Sequence, residues 1–326
     1  MRLLSAWKSH LKNFLAFVLY HTGIVCLLDA ILLRNRCVVL AYHRVCEAKE
    51  GWVPVEEGMS VSPKTFEDHL KYLRKKYRFL SLETFLSSLS SGEPLQKSCL
   101  ITFDDGWLDT YRNAFPLLRK YDVPATVFLS TSYIGTDDWF WPEKVSYLLS
   151  KFDDQKWQSF RTEETRQAAR IYCYAMDRTE GIHKAIEYLK QFDDPKIQDI
   201  LSDLMCASGT DRFPQVRAML NWAEVADMAH WGISFGSHTK SHLILTRVQD
   251  PHKVWKELRE SKQSITDHTG RETAAFCFPN GDYDDTLIES VRTCGYKAAF
   301  IGARGLVTAR DDPYRLKRIT VHEAAA

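Results

Sequence analysis

The stretch CLITFDDGWLDTYRNAFPLLRKYDVPATVFLS, residues 99–130, decides how the rest of the chain is read. Two short apolar runs, CLITF (99–103) and ATVFLS (125–130), flank a helix-length segment, the pattern of a strand–helix–strand unit. The same rhythm extends outward in both directions. Further apolar runs occur at CVVLAY (37–42), ISFGS (233–237), AAFCF (274–278), KAAFI (297–301) and LKRITV (316–321). Amphipathic helical patterns lie between them, for example 63–77 and 251–270, with Pro63 and Gly270 where start and stop signals belong. Alternating strand and helix predicts an α/β fold on a largely parallel sheet, either doubly wound or closed into a barrel. Residues 143–220 break the rhythm; they are polar and helix-forming, and they read as a helical insertion between two core strands.

Composition narrows the function. The chain has 326 residues, 45% hydrophobic and 26% charged, an ordinary globular balance that needs no disulfide or metal merely to fold. The formal net charge is +1 and basic residues are scattered along the sequence, which argues against a nucleic-acid partner. None of the 8 cysteines forms a CxxC pair, and several, such as Cys37 and Cys277, sit within apolar runs. They read as buried reduced thiols and favour a reducing compartment.

Residues 1–36 form a separate segment ahead of the main domain, which spans 37–322. Leu3, Leu4, Trp7, Leu11, Phe14, Leu15 and Val18 recur at helical spacing, with Lys8 and Lys12 mostly on the opposite face. A signal peptide fits poorly, because lysines invade the early part and no small-residue cleavage site follows. A membrane span over 14–33 would place His21 and Asp29 in the apolar zone, where charge costs roughly 3 kcal/mol. A helix lying in the membrane interface fits best, and packing on the protein's own core is the alternative. The expected location is therefore cytoplasmic, on the inner face of the membrane, or else outside and held by this segment.

Chemistry collects at the ends of the strands. Asp104-Asp105-Gly106 follows CLITF, His238 and His242 follow ISFGS, His43 follows CVVLAY, and Pro279-Asn280-Gly281-Asp282 follows AAFCF. Strand C-termini are where parallel α/β folds place their active sites. Two histidines four apart share one face of a helical turn and can grip one ion. With the Asp105 carboxylate they make a three-ligand site that leaves positions open for water or substrate. Asp104, close by but not ligating, is the natural general base. Each feature has a plainer reading: DDG as a turn with helix capping, HxxxH as chance spacing, His43 as a core histidine. Their recurrence at strand ends favours a site.

At these residues the sequence resembles the polysaccharide deacetylases, the NodB-homology group or carbohydrate esterase family 4. The resemblance runs through 100–135, GSHTKSHLILT (236–246) and FPNGDYDDTLIESVRTCGYKAAF (278–300). It implies a distorted (β/α) barrel that hydrolyses N-acetyl groups on glycans. Asp104 would be the base, and Asp105, His238 and His242 would bind Zn²⁺, or else Co²⁺, Ni²⁺ or Mn²⁺. His322 would be the general acid. The family's arginine that orients the base has no counterpart in CFPNGDYD, where Asp282 or Tyr283 would cover part of its role. His43, Pro279, Asn280 and Asp282 are expected at the substrate, with Trp139 and Trp141 at the rim, stacking on a sugar or a lipid or pinning the insertion. A backbone N–H near Thr131 or Ser132 is expected at the oxyanion.

The expected substrate is an N-acylated amino sugar in a surface glycan or a lipid-linked saccharide. Two other readings stand beside it. A two-histidine, one-carboxylate set also serves non-haem Fe(II) oxygenases, although those prefer β-sandwich settings. The third reading is a non-catalytic glycan- or membrane-binding protein on a deacetylase scaffold.

Overall fold

The computed structural model describes residues 33–47, 58–151 and 160–323. The membrane-seeking pattern of 1–32 therefore lies outside the described residues. Among those that are described, no helix is long and apolar enough to cross a membrane.

The described residues hold ten strands: β1 (Cys37–Tyr42), β2 (Arg44–Val45), β3 (Ser60–Val61), β4 (Arg78–Phe79), β5 (Ser98–Phe103), β6 (Ala125–Leu129), β7 (Ser234–Ser237), β8 (Ala275–Cys277), β9 (Ala298–Arg304) and β10 (Leu316–Thr320). Seven of them close into a parallel barrel in the order β1-β10-β9-β8-β7-β6-β5, with β5 returning to β1. That last pairing runs from Cys37↔Ser98 to Tyr42↔Phe103 and settles the choice between open sheet and barrel. Each barrel strand falls on one of the seven apolar runs of the sequence. The two-residue strands β2, β3 and β4 are too short to leave a periodic signal. β4 pairs with the first two residues of β5, ahead of the point where β6 begins.

Alternation along the strands divides the core in two. Val38, Leu40, Tyr42, Cys99, Ile101, Phe103, Val127 and Leu129 belong to a cluster packed under the surrounding helices. Cys37, Val39, Leu100, Phe128, Cys277, Phe300 and Leu316 belong to another, which fills the barrel. Helix α1 (Pro63–Lys76) buries Phe66, Leu70 and Leu73, one stripe at helical spacing, and starts at Ser62, whose hydroxyl accepts from the Thr65 amide. Helix α2 (Leu82–Ser91) plugs the barrel floor: Leu82 and Phe85 join the interior cluster, and Phe85 stacks on Phe300 with centroids 6.2 Å apart. Gly92 ends it in the left-handed conformation.

Helix α3 (Phe115–Tyr121) continues the segment after β5. Between β6 and β7 the chain forms α4 (Trp141–Ser150), α5 (Glu163–Cys173), α6 (Arg178–Leu189) and α7 (Asp194–Ser208). Val145, Leu148, Ala168, Ile186, Leu189, Ile200 and Leu204 give these helices an apolar cluster of their own, distinct from the barrel's. Helices α8 (Trp222–His230), α9 (Pro251–Thr269) and α10 (Asp285–Thr293) complete the described α-helices.

Because Phe85 is fully buried in the floor, Phe85→Ala should cost about 3–5 kcal/mol of stability. Denaturant melts would measure the loss.

Candidate metal centre and active site

The inward parity of the strands carries the site. Leu100 and Phe300 fill the barrel interior, and so do Val39, Cys277 and Leu316. Continuing each strand by two or four residues towards its C-terminus reaches Asp104, Gly302, His43 and Arg318, all of which line one cavity of about 280 Å³. The register between β9 and β10 shifts between Leu316 and Arg318, a bulge at the barrel rim. Gly302 lies in this stretch. A Cβ on Gly281, which has φ +74°, would come within 2.3 Å of the Gly302 Cα, so two glycines let these backbones meet beside the cavity.

Three donors converge on one point. Asp105 Oδ1 lies 3.4 Å from His238 Nε2 and 3.2 Å from His242 Nε2. The sequence spacing predicts a helical turn for the histidines, but the structure has none there. Instead Thr239 and His242 adopt φ of 66° and 57°, and Asp105 adopts 75°. Non-glycine residues held in this region cost of order 1–3 kcal/mol each, and such strain gathers at functional sites.

The ligand atoms are prepared for a cation. His238 Nδ1 sits 2.8 Å from the Cys277 carbonyl. A carbonyl only accepts, so Nδ1 carries the proton and Nε2 keeps its lone pair for the cavity. Burial pushes the His238 imidazole down to about 4, despite the aspartates beside it, so it is neutral at neutral pH. Burial raises Asp105, but the hydrogen bond and charge of His242 outweigh it and hold the carboxyl well below the usual range. Asp105 Oδ2 accepts from the Trp107 indole at 2.9 Å. The Arg44 guanidinium lies 4.3 Å over that indole ring and is itself held by Asp109 at 2.7 Å. The donor set of two imidazole nitrogens and a carboxylate oxygen, all able to face one point, fits a divalent transition metal.

Asp104 is held differently. Arg318 donates two hydrogen bonds to it, one to each carboxylate oxygen, both at 2.7 Å. Burial raises this carboxyl, and the Arg318 charge and hydrogen bonds bring it below its ordinary value. Burial also works against the guanidinium, yet Asp104 drives its pKa above the ordinary arginine value. The sequence reading assigned no arginine to this role; the residue comes from β10, outside the CFPNGDYD stretch. Its one local signal is parity, since Arg318 stands two residues after the inward Leu316. His43 Nε2 approaches Asp104 Oδ2 at 3.7 Å, and Cys277 Sγ lies 3.8 Å from the same oxygen.

The other expected residues divide. Asn280, Trp141 and His43 line the cavity. Pro279 is buried and is not in the lining. Asp282 faces Arg247 at 3.4 Å and is not in the lining. Trp139 is 1% exposed; its indole donates to the Val216 carbonyl and packs on Tyr147 and Phe213, pinning the segment between β6 and β7. His322 does not line the cavity. Beside it the Val321 amide donates to the Ala41 carbonyl, and Glu323 accepts from the Ser62 amide and Thr65 hydroxyl. The amides of Thr131 and Ser132 already donate to the carbonyls of Thr239 and Lys240, which corrects their expected part at an oxyanion. Glu143 and Lys190, which no motif marks, stand in the cavity wall beside Trp141.

Comparison with known proteins agrees with this architecture. Bacillus subtilis (strain 168) YxkH is 23% identical over 285 residues, 87% of this chain and 70% of that one. The Staphylococcus aureus poly-beta-1,6-N-acetyl-D-glucosamine N-deacetylase is 34% identical over 113 residues, which cover 32% of this chain and 39% of the relative. In fold, the chain resembles IcaB from Ammonifex degensii with a TM-score of 0.59 at 20% identity, over 89% of this chain and 94% of that one. The sequence model of the polysaccharide deacetylases matches residues 91–171 and 178–299. That is more than half of the chain, and the chain therefore belongs to the polysaccharide deacetylase family, hydrolases of carbon–nitrogen amide bonds.

Proposed function

We propose that this chain removes the N-acetyl group from an amino sugar of a surface glycan, using a divalent ion, Zn²⁺ first among them, held by Asp105, His238 and His242. The supporting observation is the convergence of these three donors beside a second, arginine-held carboxylate at the wall of an open cavity. Two imidazoles and one carboxylate leave positions for water and substrate, the pattern of catalytic rather than structural zinc. Such an ion, when bound, lowers the pKa of water and polarises the amide carbonyl.

The chain's own residues do the rest. Asp104 accepts the proton of the attacking water. Arg318 holds it below its ordinary pKa, which favours the ionised form, the one able to accept a proton. Arg318 fixes the carboxylate plane through two bonds and leaves its remaining lone pairs to the cavity. The amide C–N bond breaks, acetate departs, and a proton must reach the leaving nitrogen. His43 takes that role in preference to His322, because it lines the cavity next to Asp104. Trp141 offers an apolar wall for a sugar ring. The S. aureus relative is named for poly-β-1,6-N-acetylglucosamine, which makes N-acetylated glucosamine oligomers the first substrates to assay.

Wild-type protein should hold about one Zn²⁺ per chain, and His238→Ala with His242→Ala should lose it. Elemental analysis decides this without knowledge of the sugar; equal metal in both proteins would sink the proposed centre. Asp104→Asn should keep the metal while deacetylation of such oligomers falls by about 10²–10⁴. His43→Ala should lower kcat far more than His322→Ala, and the reverse order would return the acid role to His322. Arg318→Met should cost about 3–5 kcal/mol by stranding a buried carboxylate. Adding Asp104→Asn should recover much of that loss in a double-mutant cycle of denaturant melts.

A further inference from the structure

Basic residues that are scattered along the sequence are gathered in the fold. The barrel floor, opposite the cavity, carries Arg34 and Arg36 just ahead of β1, Arg74, Lys75 and Lys76 in the last turn of α1, Arg78 in β4, and Lys97 just ahead of β5. Backbone bonds tie these segments into one surface. The Lys97 amide donates to the carbonyls of Leu33 and Arg34, the Ser98 amide to Arg36, and the Arg78 amide to Lys97. Arg34, Arg36, Arg74, Lys75 and Arg78 are exposed. None of these five has a carboxylate within ion-pair distance among the described residues, whereas Lys64 and Lys71, nearer the start of α1, are paired.

Two further observations point to what covers this surface. Tyr72, in the same stretch of α1, is 48% exposed, and tyrosine is enriched at the headgroup level of membranes. Residues 1–32 join the chain at this patch, and their sequence spaces Leu3, Trp7, Leu11 and Phe14 on one helical face with Lys8 and Lys12 mostly on the other. Unpaired like charges repel one another, and a surface that concentrates them is stabilised by an external negative one.

We propose that the barrel floor docks on an anionic phospholipid bilayer, with Arg34, Arg36, Arg78 and the end of α1 against the headgroups and the cavity facing away from the lipid. This does not depend on the reaction proposed above. The test is co-sedimentation of the full chain with vesicles of phosphatidylcholine alone, and of phosphatidylcholine with phosphatidylglycerol in equal parts.

The wild type should prefer the anionic vesicles and lose that preference in high salt. Arg74→Glu with Arg78→Glu should weaken binding by about 10–100-fold. Lys256→Glu with Arg259→Glu, the same charge change high on α9, should leave it within about threefold. Melting curves check that both variants fold; if the first melts early, Arg34→Glu with Arg36→Glu carries the same test. Wild-type binding by the floor variants overturns the proposal, as do equal losses in the α9 control or equal binding to both vesicle types.

Discussion

A carboxylate buried at the end of a strand cannot stay charged without a cation, and Arg318 supplies it to Asp104 through two hydrogen bonds. Desolvating both ions costs several kcal/mol each, and geometry this close, with paired donors and acceptors, is what offsets that cost. The pair also joins β5 to β10, strands that do not touch in the barrel, since β1 lies between them. The ring is therefore braced across its own interior at the level where the apolar filling gives way to the cavity. Phe128 and Phe300 lie beneath the guanidinium, 5.9 and 6.0 Å from its carbon, so the same arginine caps the apolar core.

The adjacent carboxylate is handled oppositely. Asp105 meets imidazoles rather than a fixed cation, and its support comes from further out, through Trp107, Arg44 and Asp109. Two neighbouring aspartates are thus given opposite surroundings, which is what the separate tasks proposed for them, proton transfer and holding an ion, would require. Phe140, 4.4 Å from His242 by ring centroids, and the Cys277 carbonyl under His238 fix the imidazoles in place. Rigid placement of this sort is what allows a site to act without rearranging during the reaction.

How much of this could be read from the chain follows from which features are local. Strands buried on both faces, such as β1, β5 and β6, leave clear apolar runs, β10 with its alternating burial leaves a weaker one, and β2 to β4 leave none. Closure was not legible, because the β1–β5 pairing is a matter of topology. Asp104, Asp105, His238 and His242 drew attention because polar, titratable residues at a strand end are a local signal. Arg318 was not, since one arginine in LKRIT reads as any solvated strand position until β10 is placed in the ring. The histidine spacing pointed to convergence but to the wrong backbone: left-handed residues reach the same result as a helical turn. Trp139 and Trp141 look equivalent in sequence, and only packing sends one into the core and the other to the cavity.

The distance along the chain between the two partners of the central ion pair, 214 residues, has a consequence for biosynthesis. A ribosome releases β5 and its aspartates long before β10, so the nascent barrel holds an uncompensated charge and a gap between β1 and β9. Folding cannot finish strand by strand from the N-terminus. The last core strand must insert between neighbours already present, a step dominated by contacts remote in sequence and slow for that reason. Chains cut short before Arg318 would lack stability and chemistry together, which couples completeness of synthesis to activity without any separate checkpoint.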